Sequence, residues 1–415
     1  MLSRIAILDG ARIPFQQSGT IYKKLIAYDL VNGCFNGLLN RNEEIKKNID
    51  LVTVGTVMQE VKTNNLARES AINCGLSPIV PAQTISQACI SSSRAVCSGA
   101  ESILSGNANV VLAGGVETFS DVPIRHSKKM REFLISTPKE MKKGTLNMMK
   151  HVGTLKAKDF KPEFPSISNF TTGEVMGATS EKIAKRFVVS REEQDEFSLR
   201  SHTLAHSAHE QGLYSDEIVE FMGTKRENNI RGNLKLADLQ KLRPAFGKGG
   251  THTAANSSGL TDGATGCLLS SEEHAKKMGK TPLGYLKSWV FTGTNPYEEM
   301  LLGPAYAIPK LLRKNNLTLA DIDVFEIHEA FAGQILANIK AMDSDSFDAR
   351  KIGLIPEEKL NLWGGSLAIG HPLGASNIRN IITACHRLDR EGGNLAVVSA
   401  CADGGLASAL LIERV

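Results

Sequence analysis

The sequence lacks the features that mark several large classes of protein. No apolar run reaches the roughly 18 residues that a membrane-spanning helix needs. The formal net charge of +4 is too small to favour a nucleic-acid partner. Hydrophobic residues (42%) and charged residues (22%) are close to the averages of soluble proteins, so disorder is not favoured either. A chain of 415 residues with this composition is expected to form two or three globular domains.

The cysteine pattern excludes two further architectures. Seven cysteines are scattered along the chain, with no CxxC pair and no Cys/His spacing typical of zinc. Neither a disulfide framework nor a metal site is predicted, and a reducing compartment is favoured. The start, MLSRIAILDGARIPF, passes directly into a strand-like segment rather than a targeting peptide. We therefore expect a cytoplasmic protein of bacterial type, or a mitochondrial one if the source is eukaryotic.

Strand-like and helical patterns alternate along most of the chain. Residues 5–8, 51–57 and 110–113 have strand character, whereas residues 92–104 and 192–210 have helical character. Residues 84–89 and 395–401 each resemble a strand that ends in a cysteine at a turn, so two related halves would bring both thiols to one crevice. The pattern predicts a layered α/β fold. Its predicted domains are residues 1–120 with 250–272, an inserted loop or lid domain at 121–249, and residues 273–415.

Two cysteines lie in strings suited to nucleophilic chemistry. Cys89 lies where a strand-like run turns into a helix, and backbone N–H groups and the helix dipole favour a thiolate there. Cys401 precedes a Gly-Gly pair that lets a ligand approach the backbone, and a second thiol there is able to move a proton on and off carbon. Taken alone, each cysteine is more consistent with a buried structural residue than with a catalytic one.

Two histidines lie in comparable surroundings. His371 occurs in Gly364-Gly-Ser-Leu-Ala-Ile-Gly-His-Pro-Leu-Gly-Ala-Ser, whose glycines favour a rigid loop that holds a base or an oxyanion donor. His328 opens the string His-Glu-Ala-Phe between a predicted strand and a predicted helix. A histidine at such a junction can orient a water or a thioester oxygen, although a structural role is equally consistent.

Together these four strings resemble the active-site motifs of the thiolase family, in the same order and over essentially the whole chain. Cys89 resembles the Cys-x-Ser motif, His328 the Asn/His-Glu-Ala-Phe motif, His371 the Gly-His-Pro motif and Cys401 the Cys-x-Gly motif. The resemblance implies the thiolase fold, with two related layered αβαβα halves and an inserted loop domain. It also implies that Cys89 is the nucleophile, His371 its base, Cys401 the proton donor to carbon and His328 the residue that positions a water.

The finer resemblance is to the fatty-acid-oxidation branch of that family, which includes trifunctional-enzyme β subunits. The histidine at 328 and the valine at 175, before Met176, are typical of that branch. The implied activity is that of a 3-ketoacyl-CoA thiolase (acetyl-CoA C-acyltransferase), which forms acetyl-CoA and a shortened acyl-CoA through an acyl-Cys89 intermediate. Two alternatives stay open: an acetyl-CoA C-acetyltransferase that acts on acetoacetyl-CoA, and a weakly active thiolase-like lipid-binding protein.

The resemblance also implies how coenzyme A binds, as a co-substrate and with no permanently bound cofactor. Ser258, Phe246 and Met176 are expected to contact the substrate or CoA. The backbone N–H groups of Cys89 and Asp403 are expected to form an oxyanion pocket. Asp403 departs from the family pattern, which has Gly or Ala there, and a carboxylate beside a forming anion is unfavourable unless it points away.

One stretch is strongly basic: residues 125–161 contain 11 Lys and Arg against 3 Asp and Glu. Within it, residues 138–158 place apolar residues three and four apart, which favours an amphipathic helix that Gly144 and Gly153 weaken. A solvated face, a docking surface and attraction of CoA phosphates are all consistent with the pattern. The resemblance implies a homodimer or homotetramer, a hydratase/dehydrogenase α subunit as partner and peripheral membrane contact through 138–158. No nucleic-acid partner is expected.

Overall fold

The structure, a computed structural model, describes residues 4–345, 347 and 351–415. Strands and helices alternate along it, which confirms the predicted α/β class. The strands in the described residues are β1 (Ile5–Arg12), β2 (Gln16–Gln17), β3 (Leu51–Gly55), β4 (Ala82–Ile85), β5 (Val110–Glu117), β6 (Thr261–Ser271), β7 (Gly284–Gly293), β8 (Val324–Ile327), β9 (Leu395–Ala402) and β10 (Leu406–Glu413).

The α-helices range from one turn to 20 residues. In the described residues they are α1 (Ala27–Asn40), α2 (Glu43–Lys46), α3 (Leu66–Asn73), α4 (Ser91–Leu104), α5 (Lys128–Lys142), α6 (Thr145–Val152), α7 (Met176–Arg186), α8 (Arg191–Glu210), α9 (Leu236–Gln240), α10 (Glu272–Lys277), α11 (Gly303–Lys314), α12 (Ala332–Met342), α13 (Ser366–Ile369) and α14 (Ser376–Glu391).

The sheet contains the same strand arrangement twice. Its order is β4-β3-β5-β6-β1-β7-β10-β9-β8, and β2 pairs with β6 off this path. In the first half β3 and β5 are parallel, and β5, β6 and β1 follow in antiparallel pairs. In the second half β8 and β9 are parallel, and β9, β10 and β7 follow in antiparallel pairs. The halves meet where β1 and β7 pair over three residues each.

Helices cover both faces of each half. One apolar cluster joins α1 and α3 to β3, β5 and β6, and a second joins α11 and α12 to β8, β9 and β10. A third cluster contains residues of α4, α14 and strands from both halves, so these two helices form a shared central layer. The resulting order is helix, sheet, helix, sheet, helix. Because Cys89 lies just before α4 and His371 just before α14, the start of each central helix positions one candidate residue.

The described chain divides into two compact units, one of Met1–Asp121 with Ser168–Val415 and one of Val122–Ile167. Helices α7 and α8 pack against α12 in the first unit. The predicted domain boundaries, including an inserted domain over 121–249, stay predictions.

The second unit contains a pair of short helices rather than one amphipathic helix over 138–158. Gly144 separates α5 from α6 with a φ of +100°, a conformation that favours glycine. The ring of His151 stacks on that of Phe133 at 4.3 Å between centroids, which joins the two helices. Several apolar side chains of this unit are exposed: Leu134, Ile135, Met141, Leu146, Met149, Val152, Phe160, Phe164 and Ile167. Within the described residues, no helix combines the length and apolar character needed to cross a bilayer.

Candidate active site

Cys89 lies in a tight turn between β4 and α4. The residue before it, Ala88, has a φ of +47°, which is strained for any residue with a side chain. Ser91 holds the turn, because its Oγ accepts from the N–H of Gln87 (2.8 Å) and donates to the carbonyl of Ala88 (2.7 Å). Asn377 of α14 donates from Nδ2 to the carbonyl of Cys89 (2.7 Å). The half-buried sulfur is therefore fixed at the N-terminal end of α4.

The surroundings of Cys89 favour a thiol in the resting state. Burial raises the pKa of Cys89 to about 12. The backbone N–H of Asp403, which faces the sulfur, opposes this shift, whereas the charges of Asp403 and Glu117 add to it. Since the thiolate is the nucleophile, attack by Cys89 requires a base that accepts its proton as the new bond forms.

His371 has the protonation state of such a base. Its Nδ1 lies 2.7 Å from the Oγ of Ser376, whose hydroxyl donates to the carbonyl of Pro372 (3.0 Å). Because that hydroxyl has a single proton, we assign the His371 proton to Nδ1, which leaves a lone pair on the buried and unpartnered Nε2. Burial, with a further contribution from Arg379, lowers the pKa of His371 to about 3, so the imidazole is neutral.

His328 lies beside His371, directly after β8. The two ring centroids are 4.0 Å apart. The Nδ1 of His328 lies 2.9 Å from the Oγ of Ser366, which accepts a hydrogen bond from Arg379 (3.3 Å), and its Nε2 is buried and unpartnered. Burial, then His371 and Arg379, holds the pKa of His328 well below its usual range. Two neutral imidazoles thus each present an unused Nε2.

Cys401 is the second thiol of the cluster. It is a buried residue of β9, opposite Ala407 of β10. Burial, and then the nearby Cys89, raises the pKa of Cys401. Ala400 and Ala402, its neighbours in the strand, belong to a small apolar cluster against which Cys89 packs. The turn before α4 and the end of β9 therefore bring the two predicted thiols together.

Asp403 follows β9 and presents its two polar groups to different partners. Its backbone N–H faces the sulfur of Cys89. Its carboxylate oxygen Oδ1 accepts a hydrogen bond of 2.7 Å from the Nδ2 of Asn169. A backbone donor is thus available where the sequence predicts an oxyanion pocket, and the carboxylate has a separate partner.

Glu329 braces the loop that contains His371. Its buried carboxylate accepts hydrogen bonds from Ser201 (2.7 Å), Asn361 (2.7 Å) and the backbone N–H of Leu367 (3.2 Å). A Cβ at position 365 would overlap this carboxylate, so Gly365 is required for the close approach. Gly365 in the predicted loop is therefore needed for the contact with Glu329 and not only for turn formation.

Of the three predicted substrate contacts, Ser258 and Met176 lie near the cysteines and histidines, whereas Phe246 lies in a separate cleft. The backbone N–H of Ser258 donates to the carbonyl of Ala330 (3.0 Å), two residues after His328, and so Ser258 lies near the histidines. Met176 begins α7 and packs against the apolar cluster that includes Cys401. Phe246 contacts the ring of Phe331 edge to face, with 5.7 Å between centroids, and lines a cleft farther out.

This cleft, which we call the lysine cleft, has a volume of about 520 Å³. Its lining includes Lys182, Lys185 and Lys248. The carboxylate of Glu181, which also lines the cleft, accepts hydrogen bonds from the backbone N–H groups of Thr251 (2.6 Å) and His252 (2.7 Å). Lys182 is ion-paired with Glu174, so Lys185 and Lys248 supply the positive charge that the cleft presents to a ligand.

Sequence reasoning did not assign the polar residues that hold the cluster. Ser376 and Ser366 orient the two histidines, Asn377 binds the Cys89 carbonyl, and Asn169 binds Asp403. Both serines lie within the quoted glycine-rich string, so their hydroxyls were a usable signal. Asn169 had no such signal, because 234 residues separate it from Asp403.

Comparisons with known proteins agree with this geometry. The thiolase N-terminal domain family matches residues 5–273, and the thiolase C-terminal domain family matches residues 280–414. The chain is 47% identical over 424 residues to the mitochondrial trifunctional enzyme subunit beta of Bos taurus, covering 99% of the chain and 88% of that protein. It is 40% identical over 423 residues to a 3-ketoacyl-CoA thiolase of Photorhabdus laumondii, covering 99% and 97%.

A solved structure matches equally completely. The crystal structure of human mitochondrial 3-ketoacyl-CoA thiolase in complex with CoA superposes with a TM-score of 0.86 at 31% identity, covering 100% of this chain and 98% of that one. The predicted thiolase fold is thereby confirmed. With both domain families matched and the motif residues gathered in one cluster, the chain belongs to the thiolase family of acyltransferases.

Proposed function

We propose that the chain is a degradative 3-ketoacyl-CoA thiolase that uses Cys89 as its nucleophile. The observation that supports this most directly is the cluster of two thiols and two neutral imidazoles with unused Nε2 atoms. A single structural cysteine or histidine does not need the other three beside it. The names of the aligned relatives, a trifunctional enzyme subunit and a 3-ketoacyl-CoA thiolase, support the same reaction.

In the first half-reaction, the Nε2 of His371 accepts the thiol proton of Cys89 as its sulfur bonds to the C3 carbonyl carbon of a 3-ketoacyl-CoA. Backbone N–H groups of Cys89 and Asp403 stabilise the oxyanion that forms on C3. The intermediate collapses with cleavage of the C2–C3 bond, which leaves an acyl group on Cys89 and an acetyl-CoA enolate. The protonated His371, with a water positioned by His328, stabilises that enolate, and Cys401 protonates its carbon.

In the second half-reaction, the Cys401 thiolate takes the proton of an incoming CoA thiol. The CoA sulfur attacks the acyl carbon on Cys89, and the same two backbone N–H groups stabilise the new oxyanion. Collapse breaks the bond to Cys89, whose thiolate recovers its proton from His371. Each group ends in its starting protonation state, and the products are acetyl-CoA and a shortened acyl-CoA.

The test measures CoA-dependent loss of 3-ketoacyl-CoA with four-carbon and sixteen-carbon substrates. We expect turnover on both. Cys89→Ser is expected to reduce kcat by at least about 10³-fold, because both half-reactions use its thiolate. Cys401→Ala is expected to block the carbon protonation. Turnover on the four-carbon substrate alone would favour the acetyltransferase alternative, and full activity of Cys89→Ser would reject the mechanism.

The lysine cleft supports a proposal for CoA binding. Its lysines suit the phosphates of CoA. Phe246, in the cleft, contacts Phe331, and the preceding residue Ala330 is hydrogen-bonded to Ser258 near the histidines, so these residues connect the cleft to the cluster. We infer that the nucleotide end of CoA binds in this cleft and that the pantetheine passes Ser258. The matched human thiolase structure is a complex with CoA.

Charge reversal in the cleft tests this placement. Lys185→Glu with Lys248→Glu is expected to raise the KM for CoA about tenfold or more, with a smaller change in kcat, since the binding charge is lost and the chemistry is not. Lys277→Glu, on the exposed helix α10, is the matched control. Equal KM values for the cleft variant and this control would reject the assignment.

The second unit supports a peripheral contact with an anionic membrane surface. Its stretch of 11 cations against 3 anions surrounds the exposed apolar side chains of α6, Leu146, Met149 and Val152. A basic surface with exposed apolar side chains is the combination that binds anionic lipid. We propose that this unit docks on such a surface through residues 138–158.

Two variants separate the apolar and the ionic contributions. Replacing the three α6 residues by serine, or Lys142, Lys143 and Lys150 by glutamate, is expected to abolish co-sedimentation with vesicles of anionic phospholipid. Thiolysis in solution should stay within twofold of wild type. Unchanged co-sedimentation of both variants would reject the membrane contact, and a solvated face would then account for the charge.

The predicted assembly also belongs among these proposals. Strand β4 lies at the edge of the sheet, and Ile79, three residues before it, is 88% exposed. We propose a homodimer or homotetramer that covers this edge. Light scattering should then give a mass of about 90 kDa or more, twice that of the 44.9 kDa chain.

A hydratase/dehydrogenase α subunit stays a predicted partner. Location in the bacterial cytoplasm or in mitochondria stays a prediction, since the relatives include bacterial and mitochondrial proteins.

A further inference from the structure

Asp403 and Asn169 connect two turns that lie on either side of the nucleophile. Asp403 is in the turn after β9, and Asn169 is in the turn that leads to Met176 and α7. The hydrogen bond between their side chains is 2.7 Å long, and Asn169 is 8% exposed. A charge-assisted hydrogen bond from a buried amide is stronger than a neutral one.

The orientation of the Asn169 amide is determined by its own turn. Its Oδ1 accepts hydrogen bonds from the N–H groups of Thr171 (3.0 Å) and Thr172 (2.9 Å). Its backbone N–H donates to Glu174 (2.9 Å), and its carbonyl accepts from Gly173 (2.9 Å). With the oxygen held by these donors, the NH₂ group must face Asp403, and only an acceptor there satisfies it.

The turn that contains Asp403 is anchored at its far end, where the carbonyl of Gly405 accepts hydrogen bonds from the backbone N–H (2.7 Å) and the Oγ1 (3.1 Å) of Thr294. Gly404 and Gly405 follow Asp403 with φ values of +82° and +75°, and glycines are the least restricted residues. Asn169 supplies a second tether, which acts on the side chain of Asp403 itself. Its amide binds the carboxylate of Asp403, while the backbone N–H of Asp403 faces the sulfur of Cys89. An untethered carboxylate would be free to approach the oxyanion, where like charges repel.

We propose that the Asn169–Asp403 pair is a positioning device of the acyl-transfer site. It aims the backbone donor of residue 403 at the acyl group on Cys89, and it keeps the side-chain charge of Asp403 away from the anion that forms there. It also fixes the distance between this donor and the start of α7, where Met176 lies. The inference rests on the proposed role of Cys89 as the acylated nucleophile.

A charge swap tests the pair. Asn169→Asp keeps a side-chain oxygen for the turn and removes the NH₂ donor, so that two carboxylates face each other. We expect a fall in kcat for thiolysis of at least tenfold with the KM for 3-ketoacyl-CoA within threefold, since one misplaced oxyanion donor costs up to about 10²–10³-fold. Asn169→Asp combined with Asp403→Asn restores the hydrogen bond in reverse, and kcat should return to within threefold of wild type.

Asn107→Asp is the matched control for the added charge. Asn107 is exposed beyond the far end of α4, which spans about 21 Å at 1.5 Å per residue. The kcat of the Asn107→Asp variant should equal that of the wild type. A swap that leaves kcat as low as Asn169→Asp, or an Asn169→Asp variant within twofold of wild type, would overturn the proposal.

Mass spectrometry of the wild-type enzyme with substrate separates this result from the proposed function. Acyl-Cys89 is the expected species. If the acyl group is absent from Cys89, the proposed function itself fails. If Cys89 is acylated but the swap does not rescue kcat, only the positioning role of the pair fails.

Discussion

At the scale of single residues, the environment of Cys89, the proposed nucleophile, favours the neutral thiol. The thiol of Cys89 has a pKa raised to about 12 by burial, and the imidazole of His371 has a pKa lowered to about 3. An ion pair between them is therefore disfavoured in the resting enzyme. In the proposed mechanism, proton transfer therefore accompanies attack on the carbonyl carbon, and a thiol that stays protonated at rest is less prone to oxidation.

This neutral state predicts the pH dependence of alkylation at Cys89. Because the thiolate fraction of a thiol with a raised pKa grows with pH far beyond neutrality, inactivation by iodoacetamide should accelerate about tenfold per pH unit between pH 6 and 9.5. The measurement is the rate of activity loss without substrate, with modification of Cys89 followed by mass spectrometry. A plateau above pH 8 would contradict the prediction, since it would indicate a thiolate–imidazolium pair.

At the scale of loops and helices, the loop before α14 is shaped by contact with Glu329. Three donors converge on that carboxylate, and one of them is the backbone of Leu367. Glu329 therefore holds the loop through the backbone of Leu367, and Ser376 separately holds the ring of His371. This bracing explains why the predicted rigid loop needs a glycine at 365 rather than any small residue.

Gly365→Ala is accordingly expected to disturb both stability and activity. The added Cβ overlaps the Glu329 carboxylate, and overpacking of a buried site typically costs about 1–3 kcal/mol. We expect that loss in the free energy of unfolding, measured by urea denaturation, with a fall in kcat as His371 shifts. Gly293→Ala, whose Cβ meets open space, is the control. Equal stabilities of the two variants would contradict the bracing role of Glu329.

Prediction from the sequence succeeded for these elements where the signal was local. The predicted helix over 92–104 corresponds to α4, and the predicted strand over 395–401 corresponds to β9. The predicted strand over 84–89 was too long, because β4 ends at Ile85 and Ala88 adopts a positive φ. Periodicity carries no information on such a strained turn.

At the scale of the whole molecule, the two halves share one central helical layer. Helices α4 and α14 contribute to a single apolar cluster with strands from both halves. Each half would expose one face of its sheet and its central helix if the other were removed. The sequence indicated two related halves, but the pairing of β1 with β7 and the Asn169–Asp403 contact depend on residues more than 200 positions apart. Such contacts leave no local pattern to recognise.

The shared layer predicts that the halves do not fold separately. A fragment of residues 280–415 should lack a cooperative unfolding transition, because the apolar face of α14 would be solvent-exposed. Near-UV circular dichroism and urea titration of the fragment, compared with the full chain, provide the measurement. A native-like spectrum with a sigmoidal transition would contradict the dependence between halves.

The three-pair seam between β1 and β7 has a consequence for how such enzymes diverge. Cys89 comes from one half, and both histidines and Cys401 come from the other. Mutations that shift one half against the other by a fraction of an ångström therefore retune the approach of sulfur to base without altering any reacting side chain.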